Sequence, residues 1–346
     1  MGPGLCVGPS SVGADLCVGP GDGENVMSSA TLTRKDFLSV LDFDAAELER
    51  CLALAAQLKE DRALGAHAPT AAVLNGRHVA LLFEKPSLRT RSTFEIAVRE
   101  LGGYVVGLQA DVALGQREPV EDVARNLERW VDGVVIRTFS QHVLNAFATA
   151  ATRLHVVNAL TDEEHPCQAI ADFLTLQEKL GPVRGRTIAY VGDGNNVAAS
   201  LAHAAAMLGV NLHVASPEGY TLPHTVVQQA TGVARHGARL RLFNDAVDAV
   251  AGADAVYTDT WTSMGQEAEA EVRRRAFAAY QVNDDLMSLA RPGALFMHCL
   301  PAHRGEEVTS EVFESPASVV FDQAENRLHG QKALLLMLLL APGTPV

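Results

Sequence analysis

The fold of this chain is most constrained by a regular alternation between short apolar segments and longer helical segments. The apolar segments are rich in Val, Ala and Leu, which is typical of strands that are buried on both faces. They form two series, separated by a long helix that we predict from about Pro166 to Leu180. We predict strands at Val79–Phe83, Tyr104–Leu108, Gly133–Ile136, His155–Val157, Thr187–Val191, Asn211–Ala215, Ala255–Thr258 and Ala294–His298. This pattern predicts an α/β fold with two doubly wound, mostly parallel sheets.

Two such units in one chain predict two domains with a cleft between them, where ligands usually bind. The break at Gly181-Pro182 is a candidate boundary. We predict a first domain over residues 34–164 and a second over residues 165–324, linked by interdomain helices. A C-terminal helix over residues 325–346 is expected to pack back on the first domain.

Composition excludes several classes of protein. The net charge of −13 argues against a nucleic-acid partner, because phosphate backbones require a basic surface. The longest apolar run, Ala333–Pro342, is shorter than the ~20 residues that span a membrane. We therefore expect small-molecule partners, with neither a nucleic acid nor a membrane among them.

The cysteines and the N-terminal segment bear on location. The odd number and scattered spacing of the cysteines do not suggest a disulfide framework, so a reducing cytoplasm is the simpler expectation. These residues are Cys6, Cys17, Cys51, Cys167 and Cys299. Residues 1–33 contain no Lys or Arg, unlike secretory or mitochondrial targeting segments, and we predict a disordered extension. Met27 is an alternative start.

The first chemical signal follows the strand that ends at Phe83. Ser87, Arg89 and Thr90 stand at a helix start, where backbone N–H groups, hydroxyls and a guanidinium can converge on one anion. A phosphate fits this set better than a carboxylate, because it can use more donors. The alternative is a well-capped helix with surface arginines, which would explain Ser87 but not the whole cluster.

Four later segments carry further candidate groups. Arg137 ends a buried strand, and His165-Pro-Cys-Gln168 opens the long helix. Asp259 follows another strand and can hold an ammonium group, with the Ser263-Met264-Gly265 turn closing over it. Gly192-Asp-Gly-Asn-Asn196 lacks the third glycine of a dinucleotide loop, so that interpretation is weak.

The segment His298-Cys-Leu-Pro301 ends the last predicted strand. Cys299 is either inert packing or a reactive group, and the sequence leaves both open. His298, Cys299 and His303 could also be zinc ligands, but no fourth ligand is evident. We therefore predict no metal site.

These segments together resemble the aspartate and ornithine carbamoyltransferase family. Ser87-Leu-Arg-Thr90 is similar to its phosphate loop, with Leu88 where the family most often has Thr. Asp-Gly-Asn-Asn, Ser-Met-Gly and His-Cys-Leu-Pro resemble motifs of the ornithine branch, and aspartate enzymes lack the Ser-Met-Gly loop. The resemblance extends from about Thr33 to Leu340, with the motifs in the family's order.

The resemblance implies specific roles. The implied ligands of carbamoyl phosphate are Ser87, Leu88, Arg89, Thr90, Arg137, His165, Gln168, Cys299, Leu300 and Arg327. The implied ligands of ornithine are Leu160, Asn196, Asp259, Ser263, Met264 and Cys299. The implied catalytic residues are Arg137, His165, Asp259, Cys299 and Arg327.

The implied activity is transfer of a carbamoyl group from carbamoyl phosphate to the side-chain amine of L-ornithine, giving citrulline and phosphate in arginine metabolism. Ordered binding without a metal or organic cofactor is expected, as is a homotrimer. Ala113 stands where the family often supplies a polar side chain to a neighbouring subunit, and Gln116 or Arg117 are candidate substitutes. The alternatives are another acceptor, such as putrescine or acetylated ornithine, a non-catalytic ligand sensor, and a nicotinamide-dependent oxidoreductase.

Overall fold

The computed structural model describes residues 34–85, 87–109, 117–263 and 265–340. Some of the predictions concern residues outside these ranges. The extension over residues 1–33, the alternative start at Met27, Ala113 and Gln116 with their proposed subunit contact, and Met264 all lie outside them. The remaining predictions can be compared with the structure.

The described chain forms two sheets in which the strands are parallel. The first sheet has the order β2-β1-β3-β4 and the second has the order β7-β6-β5-β8-β9. The strands are β1 (His78–Phe83), β2 (Tyr104–Gln109), β3 (Gly133–Arg137), β4 (His155–Leu160), β5 (Thr187–Val191), β6 (Asn211–Ala215), β7 (Leu240–Phe243), β8 (Ala255–Thr258) and β9 (Leu295–His298). The predicted α/β fold with two doubly wound sheets is confirmed.

Helices connect the strands and cover both faces of each sheet. The α-helices of the described ranges are α1 (Ala45–Asp61), α2 (Leu88–Glu100), α3 (Val120–Leu127), α4 (Gln141–Ala150), α5 (Pro166–Leu180), α6 (Asn196–Leu208), α7 (His224–Val233), α8 (Ala246–Val250), α9 (Ala270–Phe277), α10 (Asp284–Met287), α11 (Ser310–Phe313) and α12 (Val320–Leu339). Short 3-10 helices lie at Val40–Asp42, Arg62–His67, Glu267–Glu269 and Ala278–Tyr280. Within the described ranges, no helix has the length and apolar character needed to cross a membrane.

Local sequence signals explain several of these boundaries. Asp44 caps α1, because its carboxylate accepts the Glu47 N–H at 2.7 Å. The Glu47 side chain returns to the Asp44 N–H at 2.8 Å, which completes a capping box. After α2, Gly102 has a φ of 83°, a left-handed conformation that favours glycine.

The last helix begins earlier than predicted. It starts at Val320 rather than at residue 325, so Arg327 lies inside the helix instead of at its start. Val319, at the N-cap position, has no side-chain cap hydrogen bond, so the sequence carries no capping signal there. α12 packs against α5, α1, α2 and β9, and it therefore contacts elements that accompany both sheets.

The crossing of α12 and α5 requires a residue without a side chain. A Cβ atom on Gly330 would lie 2.8 Å from Cγ2 of Ile170, which is itself buried. This methyl branch is attached directly to the Ile170 Cβ and cannot move far without displacing the helix. Gly330 thus sets how closely these two helices approach.

We expect Gly330→Ala to lower the free energy of unfolding by about 1–3 kcal/mol, because overpacking forces buried groups to shift. Gly232→Ala in α7 is the matched control, since a Cβ atom at that position would have no neighbour within 4 Å. This control should instead raise stability by about 0.5–1 kcal/mol through helix propensity. Denaturant unfolding of both variants measures the difference, and equal stability of the two would contradict the close-approach argument.

Candidate active site

A cavity of about 780 Å³ lies at the carboxyl ends of strands from both sheets. Residues after β1, β3 and β4 line one side, and residues after β5, β8 and β9 line the other. Arg327 of α12 completes it. This is the place where ligands bind in open α/β folds, and it agrees with the predicted cleft.

Most of the predicted site residues are brought together here. Those that line the first side are Ser87, Leu88, Arg89, Thr90, Arg137, Leu160 and His165. Those that line the second side are Asn196, Asp259, Ser263, Cys299 and Leu300. Gln168 does not line the cavity, but its side-chain carbonyl accepts a hydrogen bond from Arg327 Nη1 at 2.9 Å.

The start of α2 presents polar groups to the cavity rather than to its own backbone. Ser87 occupies the N-cap position, yet its side chain forms no capping hydrogen bond. Its hydroxyl accepts from Arg137 Nη1 at 3.4 Å instead. The alternative that Ser87 serves only as a cap is therefore wrong. The Leu88 side chain is 77% exposed, so only the backbone of that residue can contribute to anion binding.

Three guanidinium groups surround this corner of the cavity. Arg137 and Arg327 both donate to the Thr90 hydroxyl, and Arg89 is close enough for its charge to affect them. The hydrogen-bond acceptors of Arg137 and Arg327 are hydroxyl and amide oxygens, and their Nε atoms are buried without a partner among the described residues. Such a cluster of positive charge with neutral neighbours is suited to a multiply charged anion.

The pKa values reflect the same crowding. Burial, followed by the charges of Arg327 and Arg89, lowers the pKa of Arg137 to about 10. Burial likewise lowers the pKa of Arg89 and of Arg327. An arginine side chain stays cationic near neutral pH, so this corner of the cavity carries concentrated positive charge.

His165 lies at the N-cap of α5 and points into this positive region. Burial, and then the charges of Arg327 and Arg137, lowers its pKa well below the usual value. The imidazole is therefore neutral near physiological pH. Its Nδ1 atom is buried without a partner among the described residues, so the ring is available for a ligand.

The backbone of His165 is fixed by a contact that the sequence did not reveal. Its N–H donates to the Ser200 hydroxyl at 2.9 Å, and that hydroxyl donates to Glu164 at 2.8 Å. Glu164 also accepts from the Ser39 hydroxyl. One buried carboxylate thus joins residues from α6, from the start of α5 and from the N-terminal part of the described chain.

On the opposite side, Asp259 and Cys299 form a buried pair. The Cys299 thiol donates to Asp259 Oδ1 at 2.9 Å, and Asn195 Nδ2 donates to Asp259 Oδ2 at 2.8 Å. Burial, and then the charge of Asp259, raises the pKa of Cys299 well above its usual value. The thiol is therefore protonated and acts here as a donor rather than as a thiolate.

Asn195 lines the cavity but was not identified by the sequence motifs, because the resemblance assigns a role only to its neighbour Asn196. Asn195 caps α6 through its carbonyl oxygen, which leaves the amide group for Asp259. Asn196 donates to the Thr161 carbonyl at 2.5 Å. Leu160 uses its carbonyl oxygen to accept the Thr138 N–H at 3.1 Å, with one lone pair remaining.

The segment after β8, from Asp259 to Arg273, is attached at both ends to the short connection Asp193–Asn195 between β5 and α6. Asp259 is bound by Asn195, and Arg273, farther along, forms a buried ion pair with Asp193. Between them, the Ser263 N–H donates to Gln266 Oε1 at 3.1 Å, and Gly265 has a φ of 95°. Of the predicted turn, Ser263 and Gly265 line the cavity, and Met264 lies outside the described residues.

Among the described residues, two groups of side chains could offer ligands to a metal ion. Asp259, His298 and Cys299 have ligand atoms within 4.8 Å of one another, as do His303, Glu306 and Glu307. In the first group, however, His298 Nδ1 accepts the Leu300 N–H at 2.8 Å and Nε2 lies 3.2 Å from Glu307. Both ring nitrogens are already engaged, so a zinc site that includes His298, Cys299 and His303 does not fit this arrangement.

Comparison with known proteins places this geometry in a family. The family model described as "Aspartate/ornithine carbamoyltransferase, carbamoyl-P binding domain" matches residues 35–178. The model described as "Aspartate/ornithine carbamoyltransferase, Asp/Orn binding domain" matches residues 184–338. The two matches cover the two sheets in turn.

Individual proteins of this family are similar to the chain over most of its length. The chain is 50% identical to an ornithine carbamoyltransferase of Symbiobacterium thermophilum over 311 residues, covering 89% of this chain and 99% of the relative. It is 51% identical to that of Acidothermus cellulolyticus, with 89% and 98% covered. The solved ornithine carbamoyltransferase of Pyrococcus furiosus superposes with a TM-score of 0.85 at 46% identity, with 90% and 98% covered. The chain belongs to the aspartate/ornithine carbamoyltransferase family and is an enzyme that transfers a one-carbon group.

Proposed function

We propose that this enzyme transfers the carbamoyl group of carbamoyl phosphate to the side-chain amine of L-ornithine. The observation that carries the proposal is the polarity of the cavity. Arg89, Arg137 and Arg327 lie on one side with neutral hydrogen-bond acceptors, and the Asp259–Cys299 pair lies on the other. One side is suited to an anion and the other to an ammonium group.

The anionic substrate would occupy the positive side. The Ser87 and Thr90 hydroxyls, the first N–H groups of α2 and the Arg89 guanidinium hold the phosphate, as helix N-termini do. Arg137, Arg327 and neutral His165 donate to the carbonyl oxygen, where negative charge grows during attack. Gln168 accepts from the carbamoyl NH2 group, and the Cys299–Leu300 segment closes this side of the site.

The acceptor would lie between the two sides. Asp259 binds the α-ammonium group of ornithine, while Asn196 and the Ser263–Gly265 turn contact its carboxylate. The Leu160 carbonyl, through its remaining lone pair, accepts from the side-chain amine. The relatives at about half identity carry the name ornithine carbamoyltransferase, which supports ornithine over aspartate.

The charges also suggest an order of binding. An amine of this type has a pKa of ~10.4 in water and must lose a proton before it attacks. The guanidinium cluster and partial desolvation lower that pKa once carbamoyl phosphate is in place. Carbamoyl phosphate therefore binds first, the neutral amine attacks its carbonyl carbon, and the departing phosphate accepts the amine proton.

The same proposal covers the roles of the two domains, the metabolic role, the cellular location and the oligomeric state. We assign carbamoyl phosphate binding to residues 34–164 and acceptor binding to residues 165–324; the family models with the corresponding descriptions match residues 35–178 and 184–338. A role in arginine metabolism and a homotrimer are implied by the resemblance, and a cytoplasmic location by the scattered cysteines. The loop that carries Ala113 lies outside the described residues, so the proposed subunit contact stays a prediction.

The first test offers carbamoyl phosphate with ornithine, putrescine and N-acetylornithine in parallel, and identifies each product by mass. We expect citrulline from ornithine and little product from the other two amines, because neither has both charged groups at the α-carbon. Product from putrescine or N-acetylornithine instead would overturn the acceptor assignment. Binding of carbamoyl phosphate without turnover would favour a ligand sensor.

Removing the charge of Asp259 tests the acceptor side. We expect Asp259→Asn to raise KM for ornithine by about 100-fold, as expected when a buried charged hydrogen bond is lost. The affinity for carbamoyl phosphate should change less than about twofold, because the phosphate side is intact. Asp248→Asn on the exposed face of α8 is the matched control. An unchanged KM for ornithine in Asp259→Asn would refute the assignment.

The state of His165 gives a prediction about pH. Because burial holds its pKa well below the usual value, the imidazole is neutral at and above neutral pH, and His165→Asn should lose a constant factor of roughly 100 in kcat over this range. The rates of both proteins should rise with pH as the amine of ornithine loses its proton. A ratio of the two rates that changes across the range would show that His165 titrates there.

A further inference from the structure

A buried carboxylate, Asp172, lies behind the guanidinium cluster and has no role in the mechanism above. It stands in α5, one helical turn after Gln168, and is 1% exposed. Burying an acidic side chain costs free energy, because the group loses its hydration, unless hydrogen bonds within the protein compensate for that loss. The hydrogen-bond partners of Asp172 therefore indicate its role.

Two side-chain amides converge on one oxygen of Asp172. Oδ1 accepts from Gln168 Nε2 at 2.7 Å and from Gln323 Nε2 at 2.6 Å. Oδ2 has no hydrogen-bond partner among the described residues. Burial raises the pKa of Asp172 to about 7, and the two amides oppose this rise. Both amide bonds persist in either protonation state, because a proton can reside on Oδ2.

Gln168 is held between groups of opposite hydrogen-bonding character. Its Nε2 faces Asp172, and its carbonyl oxygen faces Arg327 Nη1 at 2.9 Å. A carboxylate oxygen only accepts and a guanidinium only donates, so the amide between them has one favourable orientation. Reversal would place N–H groups against the Arg327 cation and a carbonyl against a carboxylate.

Gln323 extends the same arrangement to the other side of the cavity. Its carbonyl oxygen accepts the backbone N–H of His298 at 3.0 Å, directly before Cys299. Its amide also donates to the Tyr257 hydroxyl at 3.1 Å. The single oxygen of Asp172 thus orients one amide behind the guanidinium cluster and one that holds the end of β9.

We propose that Asp172 is a positioning residue, which fixes the Gln168 amide so that its carbonyl oxygen, and not its NH2 group, faces Arg327 and holds that guanidinium in the cavity wall. This inference rests on the proposed function. A reversed amide would turn N–H groups toward the Arg327 cation and displace the guanidinium from the carbamoyl phosphate side. Asp172 itself touches neither substrate.

The test replaces Asp172 by Asn, which has nearly the same shape but can donate to the Gln168 carbonyl and so permits the reversed amide. We expect Asp172→Asn to weaken carbamoyl phosphate binding about tenfold, measured by calorimetry without ornithine. Thr175→Val is the matched control, since the Thr175 hydroxyl accepts from Asn326 at 2.9 Å in the same buried contact of α5 with α12. This control should leave the affinity within about twofold.

A double-mutant cycle separates positioning from general loss of structure. In a Gln168→Ala background, Asp172→Asn should cause no further loss of affinity, because the group that it orients is gone. Asp172→Ala carries the same cycle if the Asn variant does not fold. Losses that simply add, an unchanged affinity in Asp172→Asn, or an equal loss in Thr175→Val would overturn the proposal.

The wild-type enzyme distinguishes this inference from the proposed function. If it binds carbamoyl phosphate but gives no citrulline with ornithine, the acceptor assignment fails while the cycle still decides the role of Asp172. If it does not bind carbamoyl phosphate, both proposals fail.

Discussion

The repulsion among three clustered guanidinium groups, two of them buried, is the constraint on which the rest of the site depends. Arg89, Arg137 and Arg327 come from α2, β3 and α12, which are far apart in the sequence. Holding them together without a neutralising carboxylate in direct contact costs free energy, which the packing of the surrounding helices must offset. The folded protein is thereby prepared for an anion before one arrives, and binding energy is not spent on assembling the charges.

The contact between α5 and α12 supplies much of that support. Gly330 allows the two helices to approach closely, and Arg327 then reaches Thr90 and Gln168 from the same helix. Behind them, Asp172 receives amides from both helices. Packing and polar orientation therefore reinforce each other, since a shift of either helix would break hydrogen bonds that set the site.

Most of the fold could be predicted because buried parallel strands are apolar runs with clear ends. β7 was missed because it is an edge strand with exposed residues, including Arg241, and so lacks that signal. The start of α12 was misplaced because Val319 provides no cap. Motifs located the cavity residues, but they could not show that Asn195 binds Asp259 or that Gln168 lies behind Arg327, because those contacts depend on three-dimensional packing.

The two attachments of the segment after β8 have a consequence for how this architecture can diversify. Asp259 and Arg273 are both bound to the turn at Asp193–Asn195, so the chain between them is a closed loop with fixed ends. The entropy of closing such a loop grows only slowly with its length. Residues could therefore be inserted or removed between the attachments with little loss of stability, and the cavity wall near Ser263 and Gly265 would change while the guanidinium cluster would not. In this fold, the shape of one cavity wall is separable from the charge of the other.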